Sequence, residues 1–405
     1  MPISSDDLKS AALAAYNALT ARFAAAPSEN FFWRCGHSFD SIVDYFTYVD
    51  SSDAQKFAPL ALSQYAPQPQ DWWDDYGWWG IAGLKASIAG VFAFNDVARF
   101  RTIAGDAWSM MAQNAPYGWQ RADQQEFRNW EPLIDGGVWN DVVDEQFHPG
   151  GTDRLGGRQN TVTNGLYLVL AQRLFLNGSL PVVPPPRPAA DQEYQFLKNW
   201  FDPPAVLKLT SELALMNYYE DKAVVRERVS SFKPMDRNGL HYQDPVFSPD
   251  LAWVGDQGLI LGGLVDRMRV VGTTSPEYPV LLATARKLMV GTKDYLVRRT
   301  SQSGILQPWW PYTDTPPNGA PGGDQNDYWT GPAVYMRYLL NAFGNDDLKV
   351  DLLTEPYQTF IRANAEYVMK YPDRTQTFCP VDTVVDLTNN LAILVAAIVM
   401  LQAVA

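Results

Sequence analysis

DWWDDYGWWGIAGLK, residues 71–85, joins a polar, Trp-rich stretch directly to an apolar run of helical character. An apolar helix entered through a polar segment carrying Gly or Asn predicts an element buried on all its faces. The pattern recurs along the chain: GWWGIAGLKASIAG from 77, TNGLYLVLAQRLFL from 163, DQGLILGGLVDRM from 256, TGPAVYMRYLL from 330 and TNNLAILVAAIVM from 388. HSFDSIVDYFTYV from 37 is a looser sixth copy. Amphipathic helical patterns lie between these runs, at 5–26, 95–114, 204–219, 276–298 and 348–371. Sustained Val/Ile/Thr alternation is scarce, so strands are not expected as the framework. Six apolar helices alternating with amphipathic ones predict an all-α fold, an (α/α)6 barrel of helical hairpins formed by one domain over 1–405. An open helical solenoid is the alternative.

Composition narrows the function. The chain is 46% hydrophobic and 19% charged, with 14 Trp and 20 Tyr, an aromatic excess that suits a carbohydrate groove. Its net charge of -13 leaves no basic footprint for nucleic acid. The last apolar run, 15 residues from Leu391, is shorter than the ~20 a membrane span requires and reads as a buried helix. The N-terminus has acidic residues where a signal peptide needs basic ones, so the expected location is cytoplasmic, or secreted if the chain is a trimmed mature form. Cys35 and Cys379, the two cysteines, and His37, His148 and His241, the three histidines, are too few for a disulfide framework or a metal site. Neither a Gly-rich phosphate loop nor a nucleophile elbow is present, and no cofactor is called for.

The chemistry centres on Asp74 and Asp75. Neighbouring carboxyls facing one cavity cannot both ionise easily, so one keeps a proton while the other stays charged. Glycosidic cleavage asks for such an unequal pair, a proton donor at the leaving oxygen and a carboxylate at the anomeric carbon. The indoles of Trp78 and Trp79, with Trp72 and Trp73 before them, offer faces on which pyranose rings stack. An extended segment would point neighbouring side chains to opposite sides, so the loop at Asp74 is expected to be kinked. Trp33 and Arg34 are expected in an aromatic loop before a helix starting near Ser38. Trp139 and Arg158 belong to a long ordered loop at 116–159, which a Pro-rich loop at 180–190 follows after the next helix. Asn160, Asn164, Asp256 and Gln257 stand at helix entrances and are candidate hydroxyl-binding groups. Trp309, Trp310 and Trp329 are candidate platforms.

WWDDYGWWGIA, DGGVWND, RQNTVTNGLYLVLAQRL, DQGLILGGLVD, and SGIL at 303 with YWTGPAVYMRYL at 328 resemble, in that order, segments of glycoside hydrolase family 76. The described members of that family are endo-acting α-1,6-mannanases on an (α/α)6 barrel. The resemblance implies a retaining mechanism on an oligosaccharide or polysaccharide, with Asp74 as nucleophile and Asp75 as general acid/base. Asn140, Thr330 and the Arg158–Gln159 pair depart from the family pattern around the groove. Four other readings accompany it. Paired histidines, His37 and His241, would serve an epimerase or isomerase; a lyase or a non-catalytic sugar-binding protein could use the same barrel; and Arg34, Arg154 and Arg158 would suit an acidic sugar.

Overall fold

The computed structural model describes residues 3–25, 32–65, 72–114, 137–138, 160–178, 182–201, 216–219, 221–226, 229–230, 246–247, 252–298, 304–310, 327–370, 372 and 383–403. Trp139, Arg154, Arg158, His148, His241 and Cys379 lie outside them. Thirteen helices occur among the described residues: α1 (Ser5–Ala25), α2 (Phe32–Tyr48), α3 (Ala54–Gln64), α4 (Trp73–Ile88), α5 (Phe94–Asn114), α6 (Thr161–Asn177), α7 (Pro186–Phe201), α8 (Val254–Val271), α9 (Tyr278–Tyr295), α10 (Gly331–Phe343), α11 (Asp346–Leu352), α12 (Glu355–Met369) and α13 (Thr383–Gln402).

Six of them close a ring. α2 packs on α4, α4 on α6, α6 on α8, α8 on α10, α10 on α13, and α13 returns to α2. These are the six apolar runs of the sequence. Around them α1 packs on α13, α3 on α2, α5 on α4, α7 on α6, α9 on α8 and α12 on α13. The chain thus alternates between outer and inner helices, the (α/α)6 arrangement, and the closed ring excludes an open solenoid. An outer helix needs one apolar stripe, and α1 supplies it with Leu8, Ala12, Ala15, Leu19 and Phe23 at turn spacing. An inner helix is covered on every side, and Val254 to Met268 of α8 is a continuous buried run. The ring closes tightly where side chains are missing. A Cβ on Gly258 of α8 would stand 2.8 Å from the Tyr335 Cα of α10, and one on Gly36 would stand 2.9 Å from the Trp79 backbone nitrogen. The glycines expected in polar loops therefore lie inside helices, at the seams between ring neighbours.

Several boundaries differ from expectation. α2 begins at Phe32, so Trp33, Arg34 and His37 are helical rather than in a loop. α7 begins inside the Pro-rich run, at Pro186, where a missing N–H costs nothing because a first-turn N–H has no partner in its helix. Residues 348–371 fall in two helices, parted at Leu353, the C-cap of α11, and Thr354, the N-cap of α12. Met216–Tyr219, expected at the end of a helix, is instead a strand, β1, paired antiparallel with β2 (Lys222–Val225). β3 (Val229–Ser230) pairs with β4 (Val246–Phe247), and β5 (Ala252–Trp253) with β6 (Trp309–Trp310), which ties the entrance of α8 to the segment preceding α10. α13 is long and apolar enough to cross a membrane, yet 83% of that span is buried inside the barrel.

Candidate active site

Contacts between helix entrances show that the inner helices run parallel. Gly77 near the start of α4 abuts Leu166 near the start of α6, Gly165 of α6 abuts Leu259 of α8, Gly331 at the start of α10 abuts Val254 at the start of α8, and Asn389 in α13 binds Ala333 of α10. One end of the ring therefore collects the N-termini of the inner helices, with their unpaired N–H groups and positive dipole ends. Asp74 and Asp75 lie there, in the first turn of α4 after Trp72, an extended residue. No kinked loop is required, because the helix itself turns neighbouring side chains about 100° apart.

Asp74 is largely enclosed, and its carboxyl is pushed up to about 7 from the usual 3.8. Burial is the first cause and the charge of Asp327 the second; the backbone N–H groups of Asp74 and Asp75 and the Thr163 side chain pull the other way. Asp327 belongs to a 3-10 turn (Asp327–Thr330) leading into α10. It also accepts from the Arg34 guanidinium of α2 at 3.3 Å. Arg34 stands over the Trp33 ring at 5.4 Å, and Trp33 faces Trp78 at 6.1 Å. Asp74, Asp75, Asp327, Arg34, Trp33 and Trp78 thus come from two inner helices, α2 and α4, and one connecting turn to a single mouth.

His37 lies one turn below Trp33, buried, with its ring edge-on to Trp78 at 5.2 Å. Arg337 points a guanidinium N–H at its Nδ1, 2.9 Å away. A guanidinium only donates, so Nδ1 is the acceptor and the imidazole proton is on Nε2. Burial and then the Arg337 charge hold the imidazole well below its usual pKa, against a smaller opposite pull from Asp40. His37 is a neutral, fixed group, which removes it as an accessible base and with it half of the paired-histidine reading.

Other expected groove residues have structural partners. Trp79 is 0% exposed, donates its indole N–H to the Phe32 carbonyl at 2.6 Å and packs among Phe32, Phe39 and Tyr65, so it is scaffold rather than a platform. Trp309 is 0% exposed and meets Trp329 edge-to-face at 4.7 Å; the two form a packed cluster with Tyr328. Trp310 pairs with Ala252 through its backbone. Asn160 is the N-cap of α6, its side chain accepting from the Thr163 N–H. Asn164 accepts the Val138 N–H at 2.8 Å and donates to the carbonyls of Val138 and Asn160. Gln257 does the same to Val225 at 2.7 Å on both sides and donates to the Trp253 carbonyl. Asp256 is fully buried in the first turn of α8.

Asn389, not singled out from sequence, repeats the device: it accepts the Ala333 N–H and donates to the Trp329 carbonyl. The T-N-G, D-Q-G and T-N-N strings are thus clamps that fasten neighbouring backbone to inner-helix entrances. Asn164 and Gln257 give both N–H donors to backbone carbonyls and so have no donor left for a sugar hydroxyl. The sequence alone does not single out Asp327, because its two partners, Asp74 and Arg34, are some 250 and 290 positions away in the chain.

A scan against protein-family models gives no match, and a search of curated proteins gives none. Solved structures do match. The chain is similar to the Lin0763 protein of Listeria innocua at 13% identity, over 98% of each chain, with a TM-score of 0.62. The fold is that of known helical barrels. The GH76A α-1,6-mannanase of Salegentibacter sp. HEL1_6 matches at 14% identity over 97% of this chain and 99% of that one, TM-score 0.60. An unsaturated glucuronyl hydrolase from Bacillus sp. GL1 matches at 14% identity over 96% of each chain, TM-score 0.51. At such identities the likeness is one of fold.

Proposed function

We propose that the chain is a glycoside hydrolase that cleaves an α-linked, α-1,6-mannan-like oligosaccharide with retention of configuration. The observation that carries this reading is the position of Asp74 and Asp75, adjacent at a helix N-terminus in the mouth of the ring, with Asp74 held near 7 beside Asp327, Arg34 and Trp33. Consecutive Cα atoms are about 3.8 Å apart, which leaves the two carboxyls within reach of the roughly 5 Å separation of a retaining pair. The similar mannanase adds support, since an inactive variant with two adjacent aspartates replaced is complexed with α-1,6-mannotetrose.

In this reading, with the roles that the resemblance implies, Asp74 attacks the anomeric carbon in the ionised form it reaches above about pH 7, while Asp75 protonates the departing glycosidic oxygen. Water then hydrolyses the glycosyl ester with Asp75 as base. Helix N–H groups near Asp74 stabilise its charge once it is expelled as leaving carboxylate. Trp33, half-buried at the mouth, is the platform best placed to stack on a sugar ring. A neutral substrate is favoured over a uronate because the Arg34 guanidinium is already engaged by Asp327. Product NMR on α-1,6-manno-oligosaccharides tests the proposal: the protein releases reducing ends of retained configuration, and Asp74→Asn and Asp75→Asn each abolish release while folding survives. Near-native rates in both variants, or binding without cleavage by the unaltered protein, would remove it.

A further inference from the structure

The opposite end of the ring holds a second cavity of about 350 Å3, enclosed by the C-terminal halves of α2, α4, α6, α8 and α10. Its volume is at the lower end of the range for small-molecule sites. Lys85 on its wall lies three turns, about 16 Å, further along α4 than Asp74, so the cavity is separate from the mouth. Four cations, Lys85, Arg173, Arg269 and Arg337, face three carboxylates, Asp40, Asp44 and Asp266. Three of the cations are spent on those carboxylates. Lys85 bridges Asp40 and Asp44 at 2.5 and 2.9 Å, Arg337 meets Asp40 at 2.9 Å, and Arg269 meets Asp266 at 2.6 Å while also donating to Asn341.

Arg173 is different. It gives only its Nε–H to Asp266, at 2.7 Å, and among the described residues its two terminal nitrogens have no hydrogen-bond partner, although just 16% of the side chain is exposed. Its guanidinium is stacked at 5.4 Å over the ring of Tyr338. The Tyr338 hydroxyl is also without a partner among the described residues, on a side chain 2% exposed. A buried hydroxyl of this kind costs stability unless something pairs with it, whereas the Arg173 terminal nitrogens open onto the cavity and its solvent. A free guanidinium edge is a planar fork whose spacing matches two oxygens of a carboxylate or phosphate. Exposed Tyr48, Ile88 and Leu176 on the cavity wall add apolar surface for a carbon skeleton.

We propose that this cavity is a non-catalytic site for a small oxyanion-bearing molecule, whose carboxylate or phosphate oxygens take the Arg173 fork and the Tyr338 hydroxyl. The inference is independent of the chemistry at the mouth. Calorimetric titration of the full chain with inorganic phosphate, glucuronate, glucose 6-phosphate and neutral glucose tests it. At least one of the three anions binds with a millimolar or tighter dissociation constant and glucose does not. Binding of phosphate alone shows that the bare anion is read; preference for either sugar anion shows that the apolar wall contributes. Arg173→Lys keeps the charge and loses the fork, and weakens binding about tenfold. Tyr338→Phe leaves each ion pair in place and weakens it about threefold, which carries the test should the first variant fold poorly. The proposal is overturned if none of the anions binds, if glucose binds as well as they do, or if both variants bind like the unaltered protein.

Discussion

Neutralising Asp327 moves the ionisation of Asp74, and the direction exposes its role. Two like charges about 6 Å apart at an effective dielectric near 20 repel by about 3 kcal/mol, or about two pKa units. Asp327 is partly exposed and shares its charge with Arg34, which reduces the expected effect to about one unit. Asp327→Asn removes a negative neighbour and releases Arg34, and both changes favour the Asp74 carboxylate, so its pKa falls from about 7 towards 6. The assay is the pH dependence of kcat/KM on an α-1,6-manno-oligosaccharide, which reports groups of the free enzyme. With Asp74 as nucleophile, the rate rises through pH 7 on the acid limb. Shifting that limb down one unit raises the ionised fraction at pH 6 from about a tenth to about a half, roughly a fivefold gain relative to the plateau. If the alkaline limb shifts down instead, Asp74 is the proton donor and the roles of the pair are exchanged. If neither limb moves, the electrostatic coupling between Asp327 and Asp74 is refuted.

The raised carboxyl has a stability consequence of definite sign. The folded state holds the Asp74 proton up to about pH 7 while the unfolded chain releases it near 3.8, so this group's contribution is greatest at low pH and is lost as pH rises through that window. Asp74→Asn removes the penalty; thermal unfolding is expected to show a gain of about 1–2 kcal/mol at pH 8, after discounting for partial solvation, and little gain at pH 4. The tryptophans separate by function: Trp33→Ala raises KM with little change in Tm, whereas Trp79→Ala costs about 3–5 kcal/mol of stability in urea unfolding, because it empties a packed core site. Equal effects of the two on KM would contradict the assignment of one to the mouth and the other to the core.

The ring was legible in the sequence because burial on all sides leaves an unmistakable mark. DQGLILGGLVDRM and TNNLAILVAAIVM have no polar face to offer solvent, and helices of that kind, alternating with striped ones such as α1, have few ways to pack. Asp74 and Asp75 stand out in the sequence as candidates, since adjacent carboxyls among indoles are chemically conspicuous. The division of the aromatic residues was not. Trp33, Trp79 and Trp309 are the same side chain in similar company, and only the position of each on its helix or strand, facing the mouth or a neighbouring element, decides between platform and core. The amides of Asn164 and Gln257 read as polar groups free for a ligand, but the backbone that they and Asn389 clamp comes from elsewhere in the chain, so these hydrogen bonds exist only once the ring has closed. The same holds for the coupling of Asp74 to Asp327 and of Asp327 to Arg34. Periodicity is a local property and survives in the sequence; which polar groups meet across the ring is a long-range property, set by the order in which six helices surround one axis.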